Sequence, residues 1–123
     1  MDKQVLDADA AVLILTENQL EAADLAEHLH GLDLGRTLII RSPKDVERIL
    51  SESRFQISFA VFGFSTDEAA AHQALSRVKA FGCPILFIDT PEEFAVGDQS
   101  KVVMRPYSSV DIDHALSALG ALT

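Results

Sequence analysis

The stretch "ISFAVFGFSTDE", Ile57 to Glu68, decides how the chain is read. Its first half, Ile57 to Gly63, is a mostly apolar run of strand length, the pattern of a strand covered on both faces. Its second half turns polar at once. Ser65 or Thr66 stands where a helix would be capped, and Asp67 and Glu68 follow near the positive end of that helix. A buried strand that feeds a helix is the repeating unit of an α/β sheet.

The same unit recurs in both directions. Upstream, "AAVLILT" (Ala10 to Thr16) is continuously apolar. After Asn18, "QLEAADLAEHLHGL" carries Leu20, Leu25 and Leu29 at helical spacing, and Gly31 sits where the helix should stop. "RTLIIR" (Arg36 to Arg41) reads as a second strand. "SPKDVERILSES" then offers Ser42 as N-cap, Pro43 at the first helical position and Asp45 in the first turn, with Val46, Ile49 and Leu50 as its buried stripe. Downstream, a helix runs through "EAAAHQALSRVKAF" to Gly82, "CPILFID" is a fourth strand and "KVVMR" a fifth. "SSVDIDHALSALGAL" closes as a helix capped by Ser108 or Ser109, with Ile112, Ala115, Leu116 and Leu119 facing inward. Between Asp89 and Arg105, "TPEEFAVGDQSKVVM" leaves room for only a turn or two of a fourth helix.

Strands buried on both sides and alternating with helices predict a flavodoxin-like, doubly wound, five-stranded parallel sheet of order 2-1-3-4-5, with helices on both faces and a shortened fourth helix. At 123 residues the chain is read as a single domain, 1–123, long enough to bury a core without staples. The lone Cys83 allows no internal disulfide and is read as a small hydrophobe at the core edge. No stretch has the pattern of a signal peptide or the length of a membrane span, so a cytoplasmic chain with no membrane contact is expected. Ten Lys and Arg against nineteen Asp and Glu give a net charge of −9, a surface that repels a phosphate backbone and argues against direct nucleic-acid contact. No Ser/His/Asp order and no Cys/His pair points to nucleophilic catalysis, and no cofactor is expected. His28 and His30 lie two apart on one helix, face away from each other and are read as surface residues.

In an open parallel sheet, chemistry sits beyond the carboxyl ends of the strands. Those ends read "LTEN" (Leu15 to Asn18), "FGFS" (Phe62 to Ser65), "IDTP" (Ile88 to Pro91) and "MRPY" (Met104 to Tyr107). Along its whole length this pattern resembles the CheY-like receiver domain of bacterial response regulators. In that family an acidic pair after the first strand holds Mg²⁺, and an aspartate ending the third strand takes a phosphoryl group. A hydroxyl residue and a lysine before proline, ending the fourth and fifth strands, respond to it. Carried over, the acidic pair becomes Thr16 and Glu17, and the acceptor falls on Gly63. The hydroxyl position falls on Asp89, with Thr90 one residue late, and the lysine becomes Arg105 before Pro106. Transfer of a phosphoryl group to a carboxylate needs a nucleophile and an oxygen-ligated cation. Gly63 removes the first and Thr16 weakens the second, so the resemblance implies a pseudo-receiver that is not an enzyme.

Glu17 and Asp89 could together hold a metal ion, but two carboxylates are few for that purpose. The preferred reading pairs them with Arg105, whose charge would otherwise stand alone beside apolar strand ends. Gly63 is read as a lost aspartate whose gap its neighbours fill, the alternative being close approach of a ligand.

"VFGFSTDEA", "PILFIDTP", the curtailed fourth helix and "RPYSSVD" are, more narrowly, similar to the N-terminal domain of FleQ-type flagellar master regulators. Those are σ54-dependent transcription activators with a central AAA+ ATPase. The likeness implies a regulatory and dimerisation domain in front of that ATPase; the alternative is a free-standing adaptor that binds a signalling protein. A two-fold homodimer is expected, with Phe94, Val96 and Tyr107 partly open beside the terminal helix as its contact.

Overall fold

In the computed structural model, which describes residues 10–32, 34–52, 56–95, 97 and 99–120, strand and helix alternate from the start. The elements are β1 (Ala10–Leu15), α1 (Gln19–Gly31), β2 (Arg36–Ile40), α2 (Val46–Glu52), β3 (Gln56–Phe62), α3 (Ala69–Lys79), β4 (Ile85–Ile88), β5 (Ser100–Val103) and α4 (Ser109–Ala118). The strands form one parallel sheet in the order β2-β1-β3-β4-β5. This is the predicted doubly wound topology.

Alternation along β1 divides the core. Ala11, Leu13 and Leu15 face a layer closed by Val46 and Leu50 of α2 and by Ala71, Ala74, Leu75 and Val78 of α3. Val12 and Ile14 face the opposite layer, closed by Ala22, Leu25 and Leu29 of α1 and by Ile112, Ala115, Leu116 and Leu119 at α4. The inward stripe expected for the terminal helix is the observed one. Each large side chain so buried contributes roughly 1.5–3 kcal/mol of transfer free energy. Cys83 packs at the edge of the first layer, as read, and burial raises its thiol pKa.

Several local readings need correction. Leu20, read at helical spacing with Leu25 and Leu29, is 77% exposed, because Ala22, Leu25 and Leu29 define the buried face and Leu20 lies off it. The second strand is not buried on both sides: β2 is the sheet edge, with only Ile40 buried and Ile39 open to solvent. Ser42 and Pro43 do begin a helical segment, but its first turn, Pro43–Asp45, is a 3-10 turn and the Ser42 side chain caps nothing. Neither Ser65 nor Thr66 caps α3, which starts later with Glu68 at the N-cap; Ser65 Oγ instead accepts from the Asp67 N–H in the preceding turn. The shortened fourth helix is present as expected, as a single 3-10 turn over Glu92–Phe94.

The register levels the strand ends. Leu15 lies opposite Ile40 and Phe62, Phe62 opposite Phe87, and Ile88 opposite Val103. Thr16, Gly63, Asp89 and the residues after Val103 therefore emerge at one edge.

Candidate functional site

Thr16, Glu17, Gly63, Asp89 and Arg105 line one cleft of about 440 Å³ at that edge, together with Asn18 and the Ser65–Asp67 turn. Thr90 does not join them. It is buried, and its hydroxyl donates to the Ile88 carbonyl.

Arg105 organises the site. Its Nη1 donates to Asp89 Oδ2 at 3.1 Å, and its backbone N–H donates to Asp89 Oδ1 at 2.7 Å. Asp89 meets both because its backbone is left-handed, with φ of 54°, a conformation that aspartate tolerates better than most residues. Its own N–H meanwhile donates to the Val103 carbonyl at 2.9 Å. The expected pair of Arg105 with Asp89 is thus present.

The second partner is not Glu17, which is exposed and makes no ion pair with Arg105. It is Glu21, in the first turn of α1. Arg105 Nε donates to Glu21 Oε2 at 2.8 Å and Nη2 to Oε1 at 2.7 Å, a two-point fork in which guanidinium and carboxylate match in geometry. Glu21 Oε1 also accepts from Thr16 Oγ1 at 2.7 Å, and Oε2 from the Tyr107 hydroxyl at 2.9 Å. The Glu21 side chain is 9% exposed, so these donors replace most of its water. Burial opposes its ionisation, but the hydrogen bonds from Arg105, Thr16 and Tyr107 outweigh that and hold the carboxyl below its ordinary range. The same fork raises the pKa of Arg105, while burial and then Glu21 raise that of the Tyr107 phenol.

Glu21 escapes a reading of the strand ends because it belongs to a helix. A signal was available. Asn18 accepts from the Glu21 N–H at 3.0 Å as N-cap, and a glutamate three residues after a cap is the spacing of a capping box. Here its carboxylate turns toward the strand ends.

Gly63 lies beneath this network. Its carbonyl accepts weakly from Arg105 Nη2 at 3.4 Å, and its N–H donates to the Leu15 carbonyl at 2.6 Å. A Cβ at this position would stand 3.2 Å from the Leu15 oxygen, 3.3 Å from Arg105 Nη2 and 3.5 Å from Thr16 Cβ. The gap is filled by neighbours, the Leu15 carbonyl nearest and the guanidinium next.

The residues present do not fit the Mg²⁺ that the resemblance implies. A hard divalent cation takes several oxygen ligands. The Thr16 hydroxyl is committed to Glu21, and both Asp89 oxygens are committed to Arg105. Of the positions carried over, Glu17 keeps an uncommitted carboxylate.

Two further expectations change. Phe94 packs against the α2–α3 layer and Tyr107 against the α1–α4 layer, so they lie on opposite faces of the sheet and form no single patch. Val96 lies outside the described residues. His30 is exposed as read, but His28 is half-buried, with Nε2 2.7 Å from Asp113 Oδ1 of α4.

No protein-family model matches the chain, and no curated protein matches it in sequence. Solved structures do. A response regulator receiver protein from Burkholderia phymatum superposes with a TM-score of 0.72 at 14% identity, covering 93% of this chain and 97% of that one. A signal receiver domain of a two-component histidine kinase from Clostridium thermocellum gives 0.68 at 15% identity, over 89% and 96%. The N-terminal domain of the nisin resistance regulator NsrR, a lantibiotic response regulator, gives 0.65 at 14% identity, over 89% and 97%. At such identities the likeness is one of architecture: the chain is built on the CheY-like fold of response-regulator receiver domains.

Proposed function

We propose that the chain is a pseudo-receiver: a regulatory interaction domain that does not accept a phosphoryl group and holds its strand-end network as a standing arrangement. One observation carries this reading. At the position where the resemblance expects the acceptor carboxylate, Gly63 offers none, and the guanidinium of Arg105 stands in the space. A cationic side chain that would otherwise answer a phosphoryl group is engaged by Glu21 and Asp89 instead. Phosphoryl transfer to a carboxylate lacks both its nucleophile and a ligand set for the cation.

The finer reading is the front domain of a FleQ-type σ54-dependent activator of flagellar genes, cytoplasmic, self-associating and acting on an attached AAA+ ATPase. The curtailed segment at Glu92–Phe94 and the "RPYSSVD" stretch, which runs from the end of β5 into the first turn of α4, support it. A Walker motif encoded downstream in the same reading frame is the expected observation; a stop codon directly after Thr123 would favour the free-standing adaptor.

The direct test is exposure to acetyl phosphate with Mg²⁺, and separately to beryllofluoride with Mg²⁺. Intact mass and backbone amide spectra should not change. A gain of one phosphoryl group, abolished by Asp89→Ala, would overturn the proposal and make Asp89 the acceptor.

A further inference from the structure

β2 bonds to β1 on one side, and among the described residues no strand bonds to the other. Successive residues of a strand turn their N–H and C=O groups to opposite sides, so every second residue of Arg36–Ile40 presents both to the open side. Such an edge is commonly blunted by a proline, a bulge or an inward-pointing charge. Here the register with β1 runs unbroken from Arg36 to Ile40, and the middle of the strand is Thr37, Leu38 and Ile39. Leu38 is half-buried against the α2–α3 layer. Ile39, on the other face, is 39% exposed, because α1 does not reach across it. The next side chain on the Ile39 face is Arg41, and Lys44 follows in the 3-10 turn. Both are exposed, and among the described residues neither forms an ion pair.

We infer that β2 takes up an extended acidic segment of a partner protein as an added antiparallel strand, with an apolar residue opposite Ile39 and carboxylates opposite Arg41 and Lys44. The open backbone groups supply the hydrogen bonds, and the side chains beside them supply the choice of sequence. Antiparallel pairing is the more stable per residue and asks for no crossover, and five residues span roughly 17 Å, the length of β2. Charge selects the occupant. The net charge of −9 is screened beyond roughly 8 Å, while Arg41 and Lys44 act at contact. A basic segment would meet like charge there. A second copy is disfavoured as well, since Arg36–Ile40 carries no carboxylate to offer either cation. This edge lies apart from the strand-end network, whose loop members follow β1, β3, β4 and β5, so the inference stands or falls independently of the phosphorylation reading.

The test is a titration of the isotope-labelled domain with the capped peptide Glu-Glu-Thr-Val-Val-Thr-Gln, whose second glutamate would face Arg41 and first valine Ile39. Shifts should concentrate from Thr37 to Arg41 and weaken with salt. Hydrogen exchange at every second β2 amide, fast in the free domain, should slow in the complex. Methylating alternate peptide nitrogens should abolish binding in one phase and spare it in the other, the signature of backbone pairing. Arg41→Glu with Lys44→Glu should weaken binding about tenfold. Ile39→Thr should weaken it while leaving the circular-dichroism spectrum unchanged, since the side chain is open to solvent. The reversed peptide, identical in composition, and a peptide with lysines for the glutamates should not bind. No shift at millimolar peptide, equal binding of the reversed peptide, equal loss from either methylation phase, or outer β2 amides already protected in the free domain would each overturn the inference.

Discussion

Arg105 Nη2 stands 3.3 Å from the point where a side chain at Gly63 would begin, closer than most Cβ atoms meet any neighbour. The two positions are therefore coupled: the guanidinium lies where it does because Gly63 has no side chain, and a side chain at 63 would have to displace it or the Leu15 carbonyl.

Gly63→Ala is expected to destabilise the domain by about 1 kcal/mol, since crowding of the Leu15 carbonyl outweighs the entropy lost from the unfolded chain. Gly63→Asp should form an ion pair with Arg105 and still fail to gain phosphoryl mass, because Thr16 and Asp89 remain committed. Denaturant midpoints and intact mass check both, and a phosphorylated Gly63→Asp variant would refute the second.

Arg105→Ala leaves the largely buried Glu21 carboxylate with only two hydroxyl donors, so a loss of about 2–3 kcal/mol is expected. Arg105→Lys should recover less than half of it, because an ammonium cannot make the two-point fork. Urea denaturation of both variants, with Glu21→Gln completing a double-mutant cycle, measures the pair. An unchanged midpoint in Arg105→Ala would show that the fork adds nothing to stability.

Acid and alkali should act on the same network from opposite sides. The carboxyl of Glu21 is held below its ordinary 4.5, so its contribution is whole above that pH and is lost as pH falls through the lower folded value. The phenol of Tyr107 is raised above its ordinary 10.0. Its contribution is whole below pH 10 and declines as pH rises toward the folded value, because the unfolded chain gives up that proton first. Stability curves against pH should lose part of their acid limb in Glu21→Gln and part of their alkaline limb in Tyr107→Phe.

Phe94→Asp should destabilise the fold rather than break a contact between copies. The ring packs against the α2–α3 layer and meets His72 edge-on at 5.3 Å, so a carboxylate there is expected to cost about 2 kcal/mol. Thermal melting should shift while sedimentation at fixed concentration stays that of the parent. A folded variant with altered sedimentation would restore Phe94 to an interface.

What the sequence made legible follows from period and position. Continuous apolar runs and helical stripes imply the sheet order, and that order alone places Gly63, Asp89 and Arg105 at one edge. Glu21 was hidden because its role depends on how α1 is rotated over the strand ends, which local pattern does not state. Leu20 misled for the related reason that an apolar residue near a helix start can fall on either face. The pairing of His28 with Asp113 joins residues 85 apart and has no local signature at all.

That long reach bears on time as well as on strength. Glu21 and Arg105 are separated by 84 residues, so their fork closes a loop spanning most of the chain and forms only once β5 has docked. Contacts made after the rate-limiting step leave the folding rate alone and set how long the native state persists. Stopped-flow chevrons for Arg105→Ala should show a steeply faster unfolding arm and a nearly unmoved refolding arm, making the network a brake on opening rather than a guide to assembly.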